Sequence, residues 1–169
     1  LQMNSILAQT ESGKFSPIYI LMGEEPYYSD VILESILKNA LQPHERDFNQ
    51  TVVYAQDTTT AEIVQNCRRY PMFAERQLVV VKEAQHLDKL DILEHYLENP
   101  SAETVLVLAF TNKSVDKRTG FYKKAKANAV IFESVATSEW NVAKWISTYI
   151  QGKGYSITPD AASLMAEHT

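Results

Sequence analysis

The chain has a single cysteine, Cys67, in 169 residues. One cysteine excludes an intramolecular disulfide framework and a cysteine-built metal site. Its neighbours place it on a helix, where a small buried hydrophobe is its expected role. Five glycines and six prolines exclude collagen-like or linker-like composition. No apolar run approaches the ~20 residues that a membrane helix needs. Leu1-Gln2-Met3-Asn4 lacks a basic stretch followed by an apolar one, so it does not read as a signal peptide. These absences lead to the expectation of a cytoplasmic setting with no membrane partner.

Positive charge is also short. Lys+Arg number 16 against 21 Asp+Glu, giving a formal net charge of -5 and a pI near 5.4. That balance argues against a surface that coats nucleic acid as a whole, but it leaves room for a local basic stripe. His44, His86, His95 and His168 are scattered without ligand spacing, so no metal site is expected. No Ser/His/Asp or paired-carboxylate constellation stands out. What is present is an ordinary apolar fraction of 45% with 22% charged residues, the composition of a folded domain rather than a disordered one.

The apolar pattern alternates between two periods. Ile18–Met22, Thr51–Tyr54, Leu78–Val81, Thr104–Ala109 and Ala129–Phe132 are short apolar runs, which suit strands buried on both faces. Helical spacing separates them. Leu33, Ile36, Leu37 and Ala40 mark one face, Ile63, Cys67 and Tyr70 a second, and Leu90, Leu93 and Leu97 a third, within about Asp88 to Glu98. A basic helical piece runs from about Thr119 to Ala127. Thr59-Thr60-Ala61-Glu62 has the form of a capping box, and Pro71 is expected to stop the helix that it opens. Strands alternating with helices predict an α/β fold, a three-layer domain around a five-stranded parallel sheet. From Ser138 the pattern is helical only, with Trp140, Trp145, Ile146, Tyr149 and Ile150 on one face. Thr158-Pro159-Asp160 opens a last helix with Thr at the N-cap and Pro at N1. That helix is cut at Thr169, so the chain is expected to be the front part of a longer polypeptide.

A strand ending in glycine before a helix invites a test for the phosphate loop G-x-x-x-x-G-K-[ST]. Here the segment is Gly23-Glu24-Glu25-Pro26-Tyr27-Tyr28-Ser29-Asp30. Tyr28 stands for the second glycine, Ser29 for the lysine, and Asp30 for the hydroxyl that would hold Mg²⁺. Pro26 removes an N–H, and Glu24 and Glu25 put negative charge where an anion would sit. The strand that should carry the metal-organising Asp-Glu pair instead reads Leu78-Val79-Val80-Val81-Lys82-Glu83, a cation in place of the aspartate with the glutamate kept. Thr111-Asn112 sits at a sensor-like position that a turn explains equally well. Two independent losses predict a P-loop-type NTPase scaffold with a degenerate nucleotide site at Gly23, Tyr28, Ser29, Asp30, Lys82 and Glu83.

Three segments together resemble the delta subunit of the bacterial DNA polymerase III clamp loader: Ile18–Tyr27, Tyr70-Pro71-Met72-Phe73-Ala74-Glu75-Arg76-Gln77 leading into Leu78–Val81, and Asp116-Lys117-Arg118-Thr119 to Lys123. The resemblance extends over nearly the whole chain. It implies an AAA+ fold without a working nucleotide site, and no cofactor. It also implies a RecA-like AAA+ domain I over residues 1–135 and the beginning of the helical lid domain II over 136–169. A C-terminal collar domain would be absent. The implied partners are the beta sliding clamp, the gamma/tau and delta prime subunits, and primed DNA in the assembled complex. No catalytic site of its own is implied, although the family is classed with DNA-directed DNA polymerase (nucleotidyltransferase) activity.

The family's functional feature is a hydrophobic wedge that enters a pocket on the clamp. It falls on Met72-Phe73, flanked by Tyr70 and Pro71, with Val64, Arg68 and Arg69 as a possible frame. Many members carry Leu-Phe, so Met72 is a departure, although a flexible Met can still fill an apolar pocket. Two alternatives remain open. One is residual nucleotide binding. The other is nucleic-acid binding through the stripe Lys113, Lys117, Arg118, Lys123, Lys124 and Lys126, of which Lys117, Arg118, Lys123 and Lys124 are the candidate DNA contacts.

Overall fold

The computed structural model describes residues 3–134. The helices expected after Ser138 lie outside the described residues. The chain divides after Ser134, and the unit Leu1–Ser134 holds the sheet.

The five apolar runs form five strands: β1 Ile18–Gly23, β2 Gln50–Tyr54, β3 Gln77–Lys82, β4 Thr104–Ala109 and β5 Val130–Ser134. They hydrogen-bond in the order β2-β3-β4-β1-β5, every pair parallel. Ile20 lies opposite Leu108 on one side and Ile131 on the other. Six helices accompany them among the described residues: α1 Met3–Glu11, α2 Pro26–Asn39, α3 Arg46–Asn49, α4 Thr60–Arg68, α5 Leu90–Glu98 and α6 Gly120–Asn128. α1 packs on α2, while α4 packs on α5 and α5 on α6. Side chains alternate across a strand. Ile18, Ile20 and Met22 therefore join Ile63, Cys67, Leu93, Tyr96, Leu97, Phe121 and Ala125 in one buried cluster, leaving Tyr19 and Leu21 to the opposite face. Burial on both faces explains the uninterrupted apolar runs of β1, β3 and β4.

The expectation of burial on both faces fails for the two edge strands: Val130, Ile131 and Phe132 of β5 are only half-buried, and Val52 and Tyr54 of β2 are exposed. Helix α1 was not foreseen. It buries Met3, Ile6, Leu7 and Thr10, and the Thr10 hydroxyl hydrogen-bonds the Ser35 hydroxyl of α2 at 2.8 Å. The capping box forms on one side only. Thr59 Oγ1 accepts from the Glu62 N–H at 3.2 Å, but the Glu62 carboxylate accepts from the Thr58 hydroxyl at 3.0 Å instead of reaching back. Asp88 does not open α5, which begins at Leu90. Its carboxylate accepts from the Thr60 N–H at 3.2 Å and the Thr60 hydroxyl at 2.9 Å. Those bonds hold the carboxyl below its ordinary 3.8 and tie the start of α4 to the loop after β3. Burial pushes the Cys67 thiol up to about 12, so it packs as a protonated hydrophobe.

Candidate functional site

The loop after β1 occupies the place of a phosphate loop, at the C-terminal edge of the sheet where α/β folds bind ligands. Its backbone donors are already engaged. The Gly23 N–H donates to the Lys113 carbonyl at 2.9 Å, the Glu24 N–H to the Ser134 carbonyl at 3.3 Å, and the Glu25 N–H to Ser134 Oγ at 3.1 Å. A phosphate at a helix N-terminus needs free N–H groups, and these serve the ends of β5 and the β4–α6 loop. Gly23 has φ +118, and a Cβ there would lie 2.2 Å from the Ser134 carbonyl oxygen. Close approach of two strand ends therefore requires this glycine whether or not a ligand is bound.

Tyr28 and Ser29 are buried on α2, while Asp30 is exposed. Asp30 lines a cavity of about 440 Å³ with Leu33, Glu34, Tyr54, Lys82, Glu83, Ala109 and Thr111. Three carboxylates against one ammonium leave the lining negative, which opposes a triphosphate. Lys82 stands 6.0 Å from the Tyr54 ring centroid, and Glu83 turns the chain at φ +52. Asn112 is likewise left-handed, at φ +55, as its turn reading expects. The residues present do not fit Mg²⁺ and a nucleoside triphosphate.

The segment between α4 and β3 is built differently. α4 ends at Arg68, so Tyr70 does not share its buried face. Gln77, buried at the start of β3, has its side-chain NH₂ 2.8 Å from the Asn66 carbonyl, 2.7 Å from that of Arg69 and 2.9 Å from Thr104 Oγ1. The Thr104 hydroxyl donates to the Cys67 carbonyl at 2.7 Å. Helix ends leave carbonyls without intrahelical partners, and these two side chains satisfy them. Further along, buried Asn49 clasps Met72. Its Nδ2 donates to the Met72 carbonyl at 2.9 Å, and its Oδ1 accepts from the Met72 N–H at 2.7 Å. Arg76 closes the turn, donating to the Ala40 carbonyl at 3.1 Å with its guanidinium over the Phe15 ring.

The backbone of this turn is pinned while its side chains point to solvent. Phe73 is 97% exposed, Tyr70 81% and Met72 51%, and Pro71 is half-buried. Phe73 has φ +55, a left-handed conformation that costs a non-glycine residue about 1–2 kcal/mol. Asn49 holds the backbone of the adjacent Met72, and Gln77 holds the Arg69 carbonyl at the start of the turn. Of the proposed frame, Arg68 stacks on the Tyr96 ring at 4.5 Å, turned toward its own domain. Val64 packs against the core, and Arg69 is exposed. Phe48, 67% exposed beside Asn49, was not singled out from the sequence. A phenylalanine in the polar stretch Arg46-Asp47-Phe48-Asn49 is the one signal that could have found it.

Three of the six cations of the basic stripe are ion-paired. Lys117 pairs with Glu133 at 3.0 Å, Arg118 forks onto Asp116 at 3.0 Å, and Lys124 pairs with Glu98. The Ser114 hydroxyl and Lys117 hold the Glu133 carboxyl below its ordinary 4.5. Among the described residues, Lys123 alone of the four candidate DNA contacts has no ion pair.

A parallel sheet in the order β2-β3-β4-β1-β5, covered by helices on both faces and carrying a phosphate-loop position after β1, defines an α/β domain of the AAA+ kind. The family model described as DNA polymerase III, delta subunit, matches residues 19–135, and the chain belongs to that family. The DNA polymerase III subunit delta of Bacillus subtilis (strain 168) is 26% identical over 134 residues, 73% of this chain and 39% of that protein. The solved structure of a Bacillus subtilis DNA clamp loader delta protein superposes with a TM-score of 0.85 at 21% identity, over 96% of this chain and 51% of that one. A DNA polymerase III gamma subunit-related protein of Thermotoga maritima gives 0.51 at 14% identity, over 98% of this chain and 57% of that one. A RuvB variant of Thermotoga maritima gives 0.51 at 17%, over 97% and 53%. These structural likenesses show the fold alone. The chain spans at most about half the length of the two delta relatives.

Proposed function

We propose that the chain acts in DNA replication as the front part of a clamp-loader delta subunit. It grips the beta sliding clamp through Tyr70, Pro71, Met72 and Phe73 and needs no nucleotide of its own. The observation that carries this reading is an almost fully exposed Phe73 on a turn held from both ends by buried polar side chains. An exposed aromatic on a preset backbone contributes its burial to binding without a large ordering cost. Membership of the delta family supports the clamp as the partner.

Ring opening follows from differential affinity. A ligand shifts an equilibrium only by as much as it prefers one state over the other. The wedge therefore has to fit the clamp best in a shape that does not complete the clamp's subunit interface. No bond is made or broken, and ATP hydrolysis belongs to sister subunits. Assembly with gamma/tau and delta prime, and contact with primed DNA, belong to the full-length protein in a cytoplasmic setting. The engaged N–H groups of Gly23, Glu24 and Glu25 and the acidic cavity support a chain without nucleotide.

The test is surface plasmon resonance of the 169-residue chain over immobilised clamp, with and without Mg²⁺–ATP, paired with direct ATP titration calorimetry. Saturable binding with one Kd in both buffers and no calorimetric ATP signal is expected. A Kd that depends on ATP, or no clamp binding, contradicts the proposal.

A further inference from the structure

We propose that Phe48 is a third apolar anchor of the same contact, held beside Met72 and Phe73 by the Asn49 clasp. This rests on the clamp-binding reading and extends it to an element 23 residues upstream of Met72 in the chain. Phe48 lies on α3, a four-residue helix whose one buried residue is Asn49. With 67% of its surface exposed, Phe48 contributes little to the core. The two hydrogen bonds between Asn49 and the Met72 backbone fix how far apart the anchors can be. One residue of chain and one side-chain reach keep the Cα atoms of Phe48 and Met72 within about 12 Å, which one apolar surface can span.

Phe48, Val52, Tyr54, Tyr70, Met72 and Phe73 are the exposed large hydrophobics among the described residues. Val52 and Tyr54 belong to the edge strand β2, are the least exposed of the six and are not counted among the anchors. At ~3.3 Å per residue, Tyr54 lies roughly 20 Å along the chain from Phe48. It also faces Lys82 and lines the acidic cavity. The remaining four side chains expose roughly 500–600 Å². That is a fair hot-spot patch, but it is below the ~800 Å² per partner of a stable interface. It therefore suits an anchor within a larger surface better than a self-contained dimer contact. The clamp is the occupant because Asn49, the neighbour of Phe48, is bonded to the backbone of Met72, within the wedge that the proposed function seats on the clamp.

The experiment measures clamp binding by surface plasmon resonance for wild type, Phe48→Ala, Phe48→Leu and Phe73→Ala, with thermal melts of each. Phe48→Ala is expected to raise Kd about tenfold, mainly through faster dissociation. Phe48→Leu should restore most of the affinity, and the melting temperatures should not move. Wild-type affinity in Phe48→Ala alongside weakened binding in Phe73→Ala overturns this inference alone. Wild-type affinity in Phe73→Ala overturns the clamp reading and this inference with it. A lower melting temperature for Phe48→Ala assigns the side chain to the fold instead. A dimer in sedimentation that Phe48→Ala abolishes assigns it to a second copy of the chain. Either result overturns the proposal.

Discussion

Replacing Met72 and Phe73 together by alanine is expected to weaken clamp binding by about a hundredfold or more, with the melting temperature nearly unchanged. Fully burying a large apolar side chain stabilises by about 1.5–3 kcal/mol. Phe73 is 97% exposed in the free chain and Met72 51%, so Phe73 has almost all of that gain still to make and Met72 about half. Together they supply about 3 kcal/mol, and each 1.4 kcal/mol is a factor of ten in Kd. Folding should hardly register the change, because exposed substitutions stay within about 0.5 kcal/mol. The groups that hold the two ends of the turn, Asn49 and Gln77, are untouched. Alanine at position 73 keeps a Cβ and hence the left-handed strain, so no stabilisation is expected to mask the loss. Retained affinity in the double variant, by titration against the clamp, would remove the basis of the account.

The largest effect on stability is expected from Gly23→Ala. The new Cβ would lie 2.2 Å from the Ser134 carbonyl oxygen and 2.6 Å from both its backbone nitrogen and its Oγ. Two of those atoms are backbone and cannot swing aside, and φ +118 is itself hostile to a side chain. Separating β1 from β5 at this point also breaks the Ser134 hydrogen bonds to Glu24 and Glu25. A loss of about 3–5 kcal/mol, or more than ~10 °C in melting temperature, is expected. Gly13→Ala is the control. Gly13 has φ +84 but nothing within 4 Å of its added Cβ, so it should cost only about 1 kcal/mol of backbone strain. Calorimetric melts that place the two variants level would contradict the packing role of Gly23. They would return that glycine to a ligand-approach role.

The parallel α/β architecture was readable from the alternation of apolar runs and helical spacing, because strands buried on both faces leave an unmistakable pattern. The position of β2 at the sheet edge was not. Strand order depends on how the crossovers pack, and Thr51-Val52-Val53-Tyr54 reads alike in a central or an edge strand. α1 has the spacing Met3, Ile6, Leu7, Thr10, but one polar member and a single short helix give little periodic signal. The helix read over about Asp88 to Glu98 begins two residues later, at Leu90, because the Asp88 carboxylate is engaged by Thr60, 28 residues away.

At the site, the departures of Gly23–Asp30 from the phosphate-loop pattern are legible residue by residue. Their cause was only half legible. Gly23 reads as a relic of phosphate binding until Ser134, more than a hundred positions on, is seen against it. The turn at Tyr70–Phe73 could be named from its resemblance, but its rigidity could not. Asn49 and Gln77 are ordinary polar residues in the sequence, and only the fold brings them to the orphan carbonyls and to Met72. Phe48 escaped for the same reason.

Hydroxyl-radical footprinting of the chain, free and saturated with clamp, tests the central claim most directly. Strong protection at Phe73, Met72 and Tyr70 is expected, with Tyr54 on the distant part of β2 unchanged as an internal reference. Phe73 remaining as reactive in the complex as in the free chain would contradict it.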